Sequence, residues 1–209
     1  MEYHRNLVRD PFESLECPKH AVYPLRTTLL RRSIIEQELE RIVRHRLNGE
    51  LEQVAVTLRN VPAEQGTFRY THGISNHQGL CQRLFHGHQS SIEIWQNDRR
   101  QSQLEDYVAL ELMRGDVHVT CPSQIESGSY EIGTRMESDA PIMISYEAKD
   151  GIFRAKIPAH QVFVIEEECS IEALAWQIAE NIKAKNGTNT KGLSVTCYEG
   201  HNKGATVSC

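Results

Sequence analysis

His72, Cys81, His86 and His88 crowd one stretch of the chain, and such a set can bind a metal. His86 and His88 flank Gly87. On a strand, side chains two residues apart point to the same face, so this pair offers two ligands side by side, and Gly87 permits close backbone approach. A third ligand is available from His72, in the strand-like stretch TFRYTHGI. If that stretch pairs with the strand carrying His86 and His88, His72 comes opposite them. Three neutral imidazoles at ~2.0–2.1 Å with a fourth position open are what a catalytic zinc requires. His77 competes for the third place and ranks lower because it falls in a polar turn. In a chain with ten histidines an isolated His-x-His is commonly incidental; the third histidine and the cysteine make the case. A thiol beside a dication has a lowered pKa and can act as base or nucleophile. As a fourth ligand, Cys81 would instead close the site and make it structural.

The elements that must hold these residues can be read from pattern. Gly66–Ile74 and Ser90–Trp95 read as strands flanking the cysteine-bearing loop. Ser33–Leu47 reads as an amphipathic helix, with a Ser33/Glu36 capping box and a stop at Asn48-Gly49. Gln53–Leu58 alternates as a short strand, and Leu104–Met113 reads as a helix. VHVTC, PIMISYE and GIFRAKI are short strands, the last two joined through Lys149-Asp150-Gly151, a good hairpin turn. Ser170 caps a second helix, Ser170–Lys185, which Asn186-Gly187 ends. Leu193–Tyr198 is a closing strand. Residues 1–30, with Pro11, Pro18 and Pro24, read as an irregular arm. Strands and helices without regular alternation argue for α+β with a mostly antiparallel sheet.

Composition excludes several classes of function. The 209 residues carry a net charge of -5 and are 39% hydrophobic. There is no global basic field for nucleic acid or anionic lipid. The basic run Arg31–Arg46 alternates with Glu36, Glu38 and Glu40, as a solvated helix face does. No apolar run is long enough to span a membrane, and MEYHRNLVRDPF lacks the apolar core of a secretory signal. Six scattered cysteines then fit reduced thiols and a cytoplasmic location.

The order of motifs resembles the 6-pyruvoyl-tetrahydropterin synthase family, which includes the 6-carboxy-tetrahydropterin synthases of queuosine biosynthesis. Phe68 to His72 matches F-x-x-x-H, Gly79 to Cys81 matches G-x-C, and His86-Gly87-His88 opens a strand. Asp106-Tyr107 resembles the family's Asp-Phe. Cys169-Ser170-Ile171-Glu172 with Leu174-Ala175 resembles the start of its second helix, and Leu193–Glu199 its last strand. The likeness covers most of residues 66–209.

The resemblance implies a tunnelling (T-) fold: an antiparallel four-stranded sheet with two helices on one face, joined into a barrel by a homo-oligomer, commonly two stacked trimers. Residues 1–60 would be an N-terminal extension with one amphipathic helix. Residues 61–209 would form the zinc and pterin domain, with an inserted strand-rich segment at about 117–157. It also implies roles: His72, His86 and His88 hold zinc, Cys81 is the catalytic thiolate, His160 is its acid-base partner, and Glu199 binds the pterin edge. The substrate would be 7,8-dihydroneopterin triphosphate and the product a 6-pyruvoyl or 6-carboxy tetrahydropterin. The family's Asp-His reads Ala159-His160 here. That departure calls for a replacement acid such as Asp139 or Glu147, since Glu166–Glu168 reads as a solvated run; otherwise the chain is a T-fold protein that binds a pterin or purine without turnover.

Overall fold

The computed structural model describes residues 13–16, 31–47, 53–58, 65–77, 79–187, 190–200 and 203–209. Two compact units emerge: Tyr23–Pro62, and Met1–Val22 together with Ala63–Cys209. The smaller unit contains α1, Arg32–Arg46. Its N-cap is Arg31, without a side-chain cap, so the expected Ser33/Glu36 box does not form. Glu36 accepts instead from Leu58 N at 2.7 Å, and Glu40 from Val56 N at 3.1 Å. Gln53–Leu58 is accordingly not a strand of any sheet: the backbone donors of Val56 and Leu58 go to helix carboxylates. The expected stop at Asn48-Gly49 lies outside the described residues, as does the expected irregular arm apart from 13–16, which form a strand.

The larger unit is built on strands β1 (Glu13–Glu16), β2 (Thr67–His72), β3 (His86–Gln96), β4 (Arg99–Arg100), β5 (Val117–Thr120), β6 (Ile125–Ser127), β7 (Pro141–Ala148), β8 (Gly151–Pro158), β9 (Val162–Val164), β10 (Leu193–Glu199) and β11 (Gly204–Ser208). Its helices are α2 (Ser102–Tyr107), which runs on into a wide π turn at Val108–Leu112, and α3 (Ile171–Asn186). Ser170 caps α3 as expected, its hydroxyl accepting from Ala173 N at 3.1 Å.

The main sheet has the order β11-β10-β3-β2-β5-β9, with β4 paired to β3. From β11 to β2 every pairing is antiparallel, which is the four-stranded sheet expected. It does not stop there. β5 and β9 add to it in parallel, beyond the four antiparallel strands that the resemblance implies, so the sheet is mostly antiparallel.

The reason lies in burial. All of Val117–Thr120 and Val162–Val164 is buried. On one face, Val117, Val119 and Phe163 join a core with Phe68, Tyr70, Ile92, Ile94, Val195 and Cys197 beneath Val108, Leu112, Leu174 and Ile178 of the helices. On the other face, Val162 and Val164 join a second core with Ile142, Ile144, Tyr146, Phe153 and Ile157. That second core belongs to a smaller sheet, β1-β8-β7-β6. Strands covered on both faces lose the polar-apolar alternation and suit parallel pairing. The segment 117–157 is thus split: β5 extends the main sheet, while β6–β8 build the layer behind it.

Candidate metal and catalytic site

The register of β2 on β3 sets His72 opposite His86 and Tyr70 opposite His88. By the two-residue period, His72, His86 and His88 share the face that carries Phe68, Tyr70, Ile92 and Ile94. The cluster is therefore the end of the core face. Tyr70 joins the two, its ring 5.7 Å from that of His72 and 5.5 Å from that of His88.

One ligand atom from each of His72, His86 and His88 falls within 4.8 Å of the others. His72 Nε2 and His88 Nε2 approach to 2.9 Å. Nitrogens around a tetrahedral zinc lie about 3.4 Å apart, so these imidazoles need only a small adjustment to share an ion. His72 is buried, and its Nδ1 has no hydrogen-bond partner. Its pKa is pushed down to about 2, chiefly by burial and then by the charges of His88, His86, His118 and His77. A neutral imidazole is the form that binds a metal, so the donor set fits one. His77 is exposed and outside the cluster. His118, on the opposite face of its strand from Val117 and Val119, meets Thr71 Oγ1 at 3.0 Å. Gly87 plays no packing role, because a Cβ there would meet Thr71 Cγ2 at an ordinary 3.7 Å.

Glu199 ends β10, opposite Ser90, and its Oε1 lies 3.1 Å from His88 Nε2. Its Oε2 is held by the Lys203 ammonium, across a tight turn in which Glu199 N donates to Lys203 O at 2.7 Å. Lys203 is raised above its ordinary pKa chiefly by the hydrogen bond to Glu199, and the charge of Cys81 adds to the attraction. Cys81 therefore lies within electrostatic reach of the same ammonium. It sits on a short 3-10 turn, Leu80–Gln82, tied to the end of β2 by Ile74 N donating to Cys81 O at 2.9 Å. Sequence reasoning missed Lys203. The signal was opposite charges at the two ends of a turn containing Gly200.

His160 is built differently. It lies in the turn Ala159–Gln161 that leads into β9, and β9 is two strands from β2 in the sheet order. At the usual strand spacing that is about 10 Å across the sheet, and no described contact joins His160 to the histidine cluster. Its Nδ1 meets Asp139 Oδ1 at 2.8 Å. The backbone makes the match: Ala159 N donates to Ala140 O and His160 N to Ser138 O, at 3.0 and 2.9 Å. Arg135 donates to His160 O at 3.1 Å. Of the two candidate acids, Asp139 is the one beside His160; Glu147 is exposed on β7.

The run Glu166–Glu168 is not uniformly solvated. Glu168 accepts from both Ser75 N, at 3.0 Å, and Ser75 Oγ. Gln124 Nε2 also reaches it at 3.3 Å. Glu168 thus braces the residues that follow His72.

Among the described residues, no helix is long and apolar enough to cross a membrane. No protein-family model matches the chain, and neither does any curated protein. Among solved structures, it is similar to a 6-pyruvoyl tetrahydropterin synthase of Plasmodium falciparum, at 14% identity and a TM-score of 0.47, over 69% of this chain and 92% of that one. A Plasmodium vivax 6-pyruvoyl tetrahydropterin synthase is similar at 16% identity and a TM-score of 0.46, over 71% of this chain and 94% of that one. These solved proteins carry the name of the family that the motif order resembles.

Proposed function

We propose that this chain is a metal-dependent lyase of the pterin synthase type, acting on 7,8-dihydroneopterin triphosphate to give a 6-pyruvoyl or 6-carboxy tetrahydropterin. The observation that carries the reading is the convergence of His72, His86 and His88 within 4.8 Å, with Glu199 on His88 and the Cys81 turn at the same end of the sheet. His72, His86 and His88 would hold zinc. Bound there, zinc would supply a Lewis acid that polarises the substrate's side-chain hydroxyls.

The protein's own groups divide the remaining work. Cys81 takes the proton from the side-chain carbon, and Lys203 favours its thiolate. Glu199 recognises the pterin edge: a carboxylate accepts two adjacent donors at once. His88 Nε2 has a single position to give, either to Glu199 or to a metal. With His88 Nε2 engaged as a metal ligand, Glu199 Oε1 would be open to substrate, and substrate binding would be coupled to metal loading. Asp139 accepts from His160 Nδ1–H and so leaves Nε2 free to exchange a proton with substrate or thiol.

His160 leads into β9, two strands from β2 in the sheet, so this reading calls for a homo-oligomer, a trimer or hexamer, in which the His160 turn of one subunit faces the Cys81 turn of the next. Pairing subunits would also cover the sheet edges at β9 and β11. The same separation favours a second reading, a pterin- or purine-binding protein without turnover. One experiment divides them. Zinc-loaded protein is incubated with dihydroneopterin triphosphate, products are followed by fluorescence chromatography, and mass is measured by light scattering. Product from an oligomer supports the lyase. Binding without product, from a monomer, supports the second reading and ends the first.

A further inference from the structure

The turn that carries Cys81 is enclosed by the inserted hairpin β7–β8. Gln82, the next residue, is 3% exposed, and nearly every polar group it owns is engaged. Its backbone carbonyl accepts from Tyr146 OH of β7 at 3.0 Å. Its side-chain Oε1 accepts from Asp150 N, in the hairpin turn, at 2.9 Å. Its Nε2 donates to Gly79 O, at the start of the Cys81 turn, at 2.9 Å. Arg83 lies 3.9 Å from Asp150. Leu84 and Phe85 are buried in the core that the hairpin supplies.

Two further features point the same way. Phe85 has φ 65°, a conformation costly for a bulky residue that persists only where its surroundings enforce it. Gly73 follows His72, and a Cβ there would fall 1.9 Å from Tyr146 OH. The Tyr146 hydroxyl therefore meets the loop at two places, at Gly73 next to His72 and at the carbonyl of Gln82, the residue after Cys81.

From this we infer that Tyr146 and Gln82 are positioning residues, and that the hairpin exists in this chain to hold Cys81 at a fixed place over the histidine cluster. The inference rests on the reading of Cys81 as the proton-transferring thiol. A thiol left to a mobile loop would sample many positions, and a displacement of about 1 Å can cost 10²-fold in rate. Removing the Tyr146 hydroxyl or the Gln82 amide donor should release the turn while leaving the metal ligands in place.

The test uses full-length Tyr146→Phe and Gln82→Glu beside the parent. Zinc content and thermal midpoint are measured first. The alkylation profile of Cys81, its rate against iodoacetamide concentration at one pH, is then followed, and kcat is separated from KM. The expected result is faster alkylation of Cys81 in both variants, because the released turn opens the thiol to the reagent. A fall in kcat of about 10- to 100-fold should accompany it, with KM and zinc content unchanged. If alkylation and kcat both match the parent in either well-folded variant, the clamp is wrong even though turnover stands. If no form turns over the triphosphate but the alkylation profile moves in the variants, the lyase reading fails and the clamp survives.

Discussion

The histidine cluster is held inside the molecule, while the His160–Asp139 pair stands at its surface. His72 is 1% exposed, whereas the side chains of His160 and Asp139 are 43% and 88% exposed. The first group hangs on β2 and β3, where backbone register leaves each imidazole one place to go. The second hangs on a turn and the loop 138–140, joined by two backbone hydrogen bonds. A converging set anchored on a buried, neutral His72 is prepared before any ligand arrives. An exposed pair gains strength only when something excludes water from it, because a charge pair in solvent is worth little. The histidine end therefore reads as a complete half-site, and the His160 end as a half-site that waits for a partner surface.

The largest effect should come from breaking the prepared half. His86→Ala or His88→Ala is expected to lower zinc affinity more than about 100-fold, beyond the 10- to 100-fold typical of outer partners, and to abolish turnover. Competition with a chromophoric chelator measures it. Full zinc retention in both variants would show that the three imidazoles converge without binding metal. His160→Ala, the matching change in the open half, should leave zinc untouched.

Next comes the thiol. Cys81→Ala is expected to keep zinc and pterin binding and to lose 10²–10⁴-fold in rate, the usual range for a proton-transfer group. Single-turnover kinetics on the zinc-loaded variant would decide it, and a parental rate would remove Cys81 from the chemistry.

Glu199→Gln should be smaller. The amide presents one donor where the carboxylate presented none, so one donor of a pterin edge goes unpaired at a cost of about 1–3 kcal/mol. Pterin affinity is expected to fall roughly tenfold. Zinc should be retained, because Glu199 does not ligate it in this reading. Titration calorimetry giving equal dissociation constants for parent and variant would reassign Glu199 to orienting His88 alone.

The same contrast explains what could be read from the chain. The histidine trio follows a period of two along strands, and period is a property of sequence. So is the Ser170 cap of α3, whose hydroxyl bonds three residues on. β2, β3 and β10 were legible because their residues alternate, while β11, Gly204–Ser208, was not read as a strand. β5 and β9 were not legible as parallel additions: VHVT and VFV are buried on both faces, and only the layer behind them explains that. Glu168 looked solvated because its partners, Ser75 and Gln124, are distant in sequence. Asp139 was one of two candidate acids, and only the backbone bonds of the 138–140 loop to Ala159 and His160 single it out. Ser33 failed as a cap because Glu36 has a tertiary partner, Leu58 N, and local pattern cannot announce that.

Asp139→Asn should give the smallest effect, and it probes the open half directly. The exposed pair contributes under about 1 kcal/mol to stability, so the thermal midpoint should hardly move. The Asn side-chain oxygen can still accept from His160 Nδ1–H, which preserves the tautomer that leaves Nε2 free. What disappears is the negative charge beside the ring. The expected loss in kcat is therefore a few-fold. KM and zinc content should stay at parental values. Asp139→Ala, which also removes the acceptor, should lose more than Asp139→Asn. If both variants match the parent in rate, the pair is a surface contact only, and the proton chemistry belongs wholly to the histidine end.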